Sequence, residues 1–247
     1  MPDVSIKTLL EAGVHFGHQT HRWNPQMAPY LFGAKNGVHI IDLDQTLGYL
    51  HEAQKQVEEI TANGGSILFV GTKRQGKEAI RSAADRAGMP YVTERWLGGM
   101  LTNFETIKTR LKRLADLTTE EAAGDWDRLP KKELARKRED QRRLTMLLGG
   151  IRNLTVVPEA VFVADTVRED LAVKEARKLG LPVIGVIDSN ANPASADYRI
   201  PANDDAIRAI AVIAEALADA ALAGKARHEK SQAAAASPQP KPVAEEV

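Results

Sequence analysis

Four short stretches of this chain combine residue types and spacings that could do chemistry. In SILFVGTKRQGKE, Gly71 and Gly76-Lys77 stand at the spacing of a phosphate-binding loop between a strand and a helix. The motif G-x-x-x-x-G-K-[ST] needs a hydroxyl after the lysine to hold magnesium, and Glu78 occupies that place. A carboxylate there repels the phosphates that Lys73, Arg74 and Lys77 would attract, so no nucleotide is expected; Asp165, closing AVFVAD, then reads as an ordinary strand end. In HFGHQTHRWNP, His15, His18 and His21 recur every three residues. Imidazoles suit a divalent metal, but Gly17 and Pro25 favour an irregular loop in which they would pack and hydrogen-bond. Asp188, at the end of VIGVID, and Asp204-Asp205, at the start of the last helix, could bring carboxylates to the same sheet edge. The fourth stretch, RWLGGMLTNFETIKTRLKRL, interleaves Arg95, Trp96, Asn103 and Lys108 with further basic residues, and Gly98-Gly99 would let a ribose-phosphate chain come close. No Ser-His-Asp ordering or paired-carboxylate pattern stands out, so an enzyme is not expected.

The elements that must position these residues alternate along the chain. Strands are expected at VHIID, SILFV (66–70), PYV (90–92), AVFVAD (160–165), VIGVID (183–188) and YRI (198–200), with helices over 44–62, 76–87, 168–179 and 205–222 between and after them. Short apolar strands separated by helices imply an α/β fold, a parallel sheet flanked by helices. Gly88 and Gly180 stand where left-handed helix caps belong, and Asp204 where an N-cap does. Between residues 105 and 150 the strand signal stops. Ile107, Leu111, Leu114 and Leu117 form one narrow apolar stripe, and Leu134, Gln141, Leu144 and Leu148 a second, which predicts an inserted antiparallel coiled-coil hairpin. Residues 1–104 and 151–224 would then form one discontinuous globular domain, and the Ala-, Pro- and polar-rich 225–247 a disordered tail.

The chain has 247 residues, 43% apolar and 5% aromatic, with 33 basic and 33 acidic side chains and no cysteine. Such a composition excludes general disorder, a disulfide framework and thiolate zinc. Neither a secretory start nor a long apolar run is evident, so a cytoplasmic protein with no membrane partner is expected. The zero net charge hides a dipolar layout: residues 1–104 are neutral, 105–152 carry +4 and 153–247 carry −4. One surface can therefore face phosphates while another faces a different partner.

Six strings in order, GVHFGHQTHRWNPQMAPYLFG, NGVHIIDLDQT, ILFVGTKRQ, RWLGGMLTNF, PVIGVIDSNANP and IPANDDAIRAI, strongly resemble the bacterial form of the small-subunit ribosomal protein two family over nearly all of residues 1–222. The resemblance implies a Rossmann-like or flavodoxin-like sheet domain with a protruding arm, a structural role in the ribosome without catalysis, and binding to 16S ribosomal RNA. Residues in matching motifs would meet RNA: Arg22, Trp23, Asn24, Lys35, Asn36, Lys73, Arg74, Arg95, Trp96, Asn103 and Lys108. It further implies contacts with other small-subunit proteins, including docking of the large OB-fold-repeat protein one, and no homo-oligomer. A zinc site of His18, Asp188, Asp204 and Asp205 is implied in the same way.

Overall fold

The computed structural model describes residues 4–236. Its helices are α1 (Ile6–Glu11), α2 (Leu43–Ala62), α3 (Lys77–Ala87), α4 (Phe104–Ala122), α5 (Lys131–Leu148), α6 (Asp170–Lys178) and α7 (Ile207–Ala236). Its strands are β1 (Phe16–Gln19), β2 (Leu31–Lys35), β3 (Val38–Ile41), β4 (Ile67–Val70), β5 (Tyr91–Val92), β6 (Ala160–Val163), β7 (Val183–Ile187) and β8 (Tyr198–Pro201). The main sheet has the order β5-β4-β6-β7-β8, and all four pairings are parallel. Within that sheet the order is 2-1-3-4-5, the doubly wound arrangement whose topological switch lies between β4 and β6, at their carboxyl ends.

Both sheet faces are covered, which is why the strands read as continuous apolar runs. Ile67 and Phe69 of β4, with Phe162 of β6 and Ile184 of β7, face a core shared with α2, α3 and α7. Leu68 and Val70, with Val161 and Val163, face the opposite core, shared with α6 and the root of α4. Burying a side chain of this size contributes about 1.5–3 kcal/mol, so the two faces together are the main stabilising term.

Two expectations fail at the ends of the chain. VHIID forms β3 but does not join the parallel sheet; it pairs antiparallel with β1 and β2 in a separate three-stranded sheet. The cause is local: Asn36 and Gly37 both adopt positive φ, 53° and 76°, the two-residue turn that folds neighbouring strands into a hairpin. The last helix, expected to stop at 222, runs to Ala236, so residues 225–236 are helical rather than a disordered tail. Its alanine-rich stretch has high helix propensity, and Lys225, Arg227 and His228 fasten it to Ala87, Gly88, Glu58 and Ala62. The remainder of the expected tail, 237–247, lies outside the described residues.

The insertion is a helical hairpin. Ile107, Leu111, Leu114 and Leu117 are all buried along α4, and Leu144 and Leu148 along α5. Lys137 reaches Glu120 at 2.6 Å, Gln141 reaches Glu121 at 2.6 Å and Arg113 lies 3.6 Å from Asp140, an antiparallel register. Trp126, in the turn, is 3% exposed and donates its indole N–H to Glu120.

Candidate metal centre and nucleic-acid interface

The carboxyl ends of β4, β6 and β7 meet at the switch point, and the residues that follow them turn into one another. Asp165, after β6, caps its own loop by accepting from the N–H groups of Val167 and Arg168 through Oδ1. Its Oδ2 lies 3.3 Å from the Lys73 ammonium, which follows β4. The same Nζ lies 2.7 Å from Asp204 Oδ1 and 2.6 Å from Asp205 Oδ1, on the segment between β8 and α7. Asp204 is in this position because Asn203 takes the capping task expected of it, accepting from the N–H groups of Asp205 and Ala206. Freed from the helix end, Asp204 points inward and is 2% exposed.

The N-terminal segment brings the imidazole. The hydroxyl of Ser189 accepts from the His18 N–H at 2.8 Å, the Asn24 N–H donates to the Ser189 carbonyl, and the Asn203 N–H donates to the Val14 carbonyl. Gly17 permits this docking, since a Cβ there would stand 2.8 Å from Ser189 Oγ. His18 Nδ1 then lies 3.1 Å from Asp188 Oδ1, and its Nε2 lies 3.5 Å from Asp205 Oδ2. Ligand atoms of His18, Asp188 and Asp204 all fall within 4.8 Å of one another. His15 and His21 do not join them: His15 Nδ1 is buried without a partner among the described residues, and His21 is exposed.

Charge in this cluster is unbalanced. Four carboxylates face one ammonium and one imidazole. Burial, reinforced by Asp165 and Asp188 and opposed by Lys73, pushes the Asp204 carboxyl up to about 7. Burial pulls the Lys73 ammonium down, but its bonds to Asp204 and Asp205 outweigh that and hold it above its ordinary value. His18 is raised, mainly by Asp188 and against the effect of burial. A divalent cation suits this arrangement. His18 Nδ1 is buried, and its approach to Asp188 Oδ1 is close without being an aligned hydrogen bond. Two zinc ligands about 2.0–2.2 Å from a tetrahedral ion stand roughly 3.3–3.6 Å apart; His18 Nδ1 and Asp188 Oδ1, at 3.1 Å, are near that spacing, whereas the three residues' donor atoms as a group lie within 4.8 Å of one another. The donor set, one imidazole with carboxylates, also suits other divalent ions.

Around the cluster lie loops whose geometry depends on acids that sequence reading missed. Thr72 donates both its N–H and its hydroxyl to Glu169 Oε1, at 2.8 and 2.6 Å. Glu175, on α6 and 6% exposed, accepts from the indole of Trp96, the N–H groups of Gly99, Leu101 and Thr102, and the Thr102 hydroxyl. Burial raises this carboxyl, but the donors outweigh it and hold it below the usual range. One carboxylate thus fixes the whole RWLGGMLTN turn, in which Gly99 supplies a φ of 84°. A signal for Glu175 was available, because it occupies the core-facing stripe of α6 with Ala172, Val173 and Ala176. Glu169 precedes its helix and carries no comparable sign.

The residues expected at RNA fall into two groups. Arg22, Lys35, Asn36, Arg74, Arg95 and Asn103 are exposed, and Trp23 is 38% exposed beside His39, with ring centroids 5.0 Å apart. Arg22, Lys35, Arg74 and Arg95 form no ion pair among the described residues. Asn24 is half-buried and caps the following turn through Gln26 N–H. Lys108 pairs with Glu105 at 2.9 Å and lies 5.3 Å from the Phe104 ring centre. Lys73 and Trp96 instead face inward, to the acid cluster and to Glu175, where a phosphate or a base would have to displace an existing partner.

The site thus combines a doubly wound sheet, a cluster of one imidazole, one ammonium and four carboxylates at its switch point, and basic side chains without ion pairs among the described residues on the surrounding loops. The family model for ribosomal protein S2 matches residues 9–224, and the chain belongs to that family. Its members are structural proteins of the small ribosomal subunit, which places the chain in the ribosome. No helix among the described residues is long and apolar enough to cross a membrane.

Proposed function

We propose that the protein binds 16S ribosomal RNA in the small subunit through the loops at the carboxyl edge and the arm root, acting as a structural component and not an enzyme. The observation that carries this reading is the division of charge at that edge. Asp165, Asp204, Glu169 and Glu175 turn inward to Lys73, Thr72 and the Trp96 turn, while Arg22, Lys35, Arg74 and Arg95 are left outside without acidic partners among the described residues. Arginine and lysine in that state exchange counterions for phosphates, and each contact makes affinity fall as salt rises. We read the hairpin as a short coiled coil, whose narrow seam supports an arm reaching along folded RNA that is recognised by shape.

His18, Asp188 and Asp204, with Asp205, would hold a zinc ion, which supplies positive charge to an acidic edge and ties the N-terminal segment to the switch point. The same globular part would help dock the large OB-fold-repeat ribosomal protein one and other small-subunit proteins. A nucleotide is disfavoured by Glu169, which already takes the Thr72 N–H of the loop, and by Glu78 beside Lys77. The test is sedimentation of cell lysate on sucrose gradients at low and high salt. Comigration with small subunits that is lost as salt rises is the expected result; a position at the top of the gradient at every salt concentration would refute the reading.

A further inference from the structure

The acids that hold Lys73 are in part the acids proposed to hold the metal. Lys73 Nζ lies 2.6 Å from Asp205 Oδ1, 2.7 Å from Asp204 Oδ1 and 3.3 Å from Asp165 Oδ2. Asp204 also belongs to the group whose donor atoms fall within 4.8 Å of one another, and Asp205 Oδ2 stands 3.5 Å from His18 Nε2. Two cations of different kinds thus draw on overlapping carboxylates. The third acceptor is the most distant, and the other oxygen of Asp165 already accepts from the N–H groups of Val167 and Arg168.

The backbone around Lys73 is tied down while its side chain stays near solvent. Thr72 is pinned to Glu169 through both its N–H and its hydroxyl. The Lys73 carbonyl accepts from the N–H groups of Gly76 and Lys77, at 2.8 and 3.1 Å, where α3 begins. Motion is therefore confined to the four-carbon stem, whose side chain is 14% exposed and next in the chain to exposed Arg74. A lysine ammonium is compact and strongly hydrated, so water receives it readily once its acceptors are engaged elsewhere.

We propose that Lys73 is the cluster's exchangeable cation: it occupies the acids when the divalent ion is absent and turns outward when the ion is bound, joining Arg74 on the RNA-facing surface. The exchange rests on the zinc reading above, and its consequence for RNA on the reading of the loops as a phosphate-binding edge. With a divalent ion on His18, Asp188 and Asp204, two of the four carboxylates are neutralised, and like charge then stands across Asp204 from the ammonium. Of the acids left to Lys73, Asp205 is 54% exposed and screened by water, and Asp165 is the most distant of its three acceptors. An outward Lys73 adds one phosphate contact. Metal and RNA then favour each other's binding by the same factor, as two ligands of one conformational equilibrium must.

The test reads the lysine itself. The full chain, metal-free and then with saturating zinc, is treated with formaldehyde and a borane reductant, and methylation of each lysine is followed by mass spectrometry. Zinc should speed methylation of Lys73 at least fivefold while leaving exposed Lys55 unchanged, and the effect should vanish in His18→Ala. In calorimetric titration Lys73→Met should bind zinc at least tenfold more tightly than wild type, because no ammonium occupies its acids. Zinc should also steepen the fall of 16S RNA affinity with salt by about 0.7–0.9 in log-log slope in wild type, the share of one phosphate, and leave the slope of Lys73→Met unchanged. Zinc that binds wild type without speeding Lys73 methylation overturns the exchange and leaves the zinc reading standing. Absence of zinc binding by wild type overturns both. If Lys73→Met does not fold, the methylation of wild type and His18→Ala decides alone.

Discussion

Two charges at the site, half-buried Lys73 and buried Glu175, each hold something in place, and their environments give different expectations. Glu175 accepts five hydrogen bonds inside the protein, so Glu175→Gln, which sets an amide against several donors, should lower stability by about 3 kcal/mol in urea titration. Its pH signature has a definite sign. The carboxyl lies below its ordinary value in the folded state, so its stabilisation is complete above the ordinary carboxylate range and is lost as pH falls through the depressed value. Wild type should therefore lose stability below about pH 4 more steeply than Glu175→Gln does. Lys73 is the counter-ion of the acid cluster, so Lys73→Glu should impair folding as well as binding, and Arg74→Glu, exposed and unpaired, is the cleaner probe of RNA contact. If Arg74→Glu is incorporated into small subunits as wild type is at moderate salt, its assigned phosphate contact is wrong.

The arm shows how an element can be separable in outline and continuous at its root. Its apolar seam runs into the core beneath the sheet, and Ile107 and Leu148 are 6% and 1% exposed. Deleting all of 105–148 would strip these from the core and should unfold the domain. Replacing 114–139 with a short Gly-Ser linker cuts within the Arg113–Asp140 pair and should leave a cooperative thermal transition and a circular dichroism spectrum reduced only by the lost helix. A broad, non-cooperative melt would mean that the outer arm is part of the core. Farther out, Leu117 is fully buried, and Leu117→Ala should cost about 3 kcal/mol if the arm and the sheet domain unfold together. The hairpin β2–β3 has a sequence signal of its own, because Asn36-Gly37 before VHIID favours a tight two-residue turn, which pairs that run antiparallel with the segment before it and keeps it out of the parallel sheet.

For the whole molecule, the zinc proposal links the N-terminal segment to the far end of the chain. An ion bound to His18, Asp188 and Asp204 joins three segments distant in sequence, so binding should stabilise the folded state by about 2.7 kcal/mol when free zinc is a hundredfold above its Kd. Thermal melts of the metal-free chain with and without added zinc would measure it. The shift should vanish in His18→Ala; an undiminished shift in that variant would place the metal elsewhere.

The sequence by itself determined the class of fold, its helix-strand alternation, the two apolar stripes of the arm and the family. These depend on patterns a few residues long: strand runs buried on both faces, helical spacing of three and four, glycine at positive φ, and strings matched in order. It also named His18, Asp188 and Asp204, whose donor atoms lie within 4.8 Å of one another, and Asp205, which instead lies beside the other ring nitrogen of His18. Only the tertiary structure decided what the charges do. Whether a lysine meets phosphate or carboxylate depends on which strands are neighbours, and the β4–β6 adjacency that sets Lys73 beside Asp165 joins residues 92 positions apart. The same holds for Glu175, whose partners lie 73 to 79 residues away, and for the close of α7, where contacts with α2 and α3 carry the helix past the point its composition suggested.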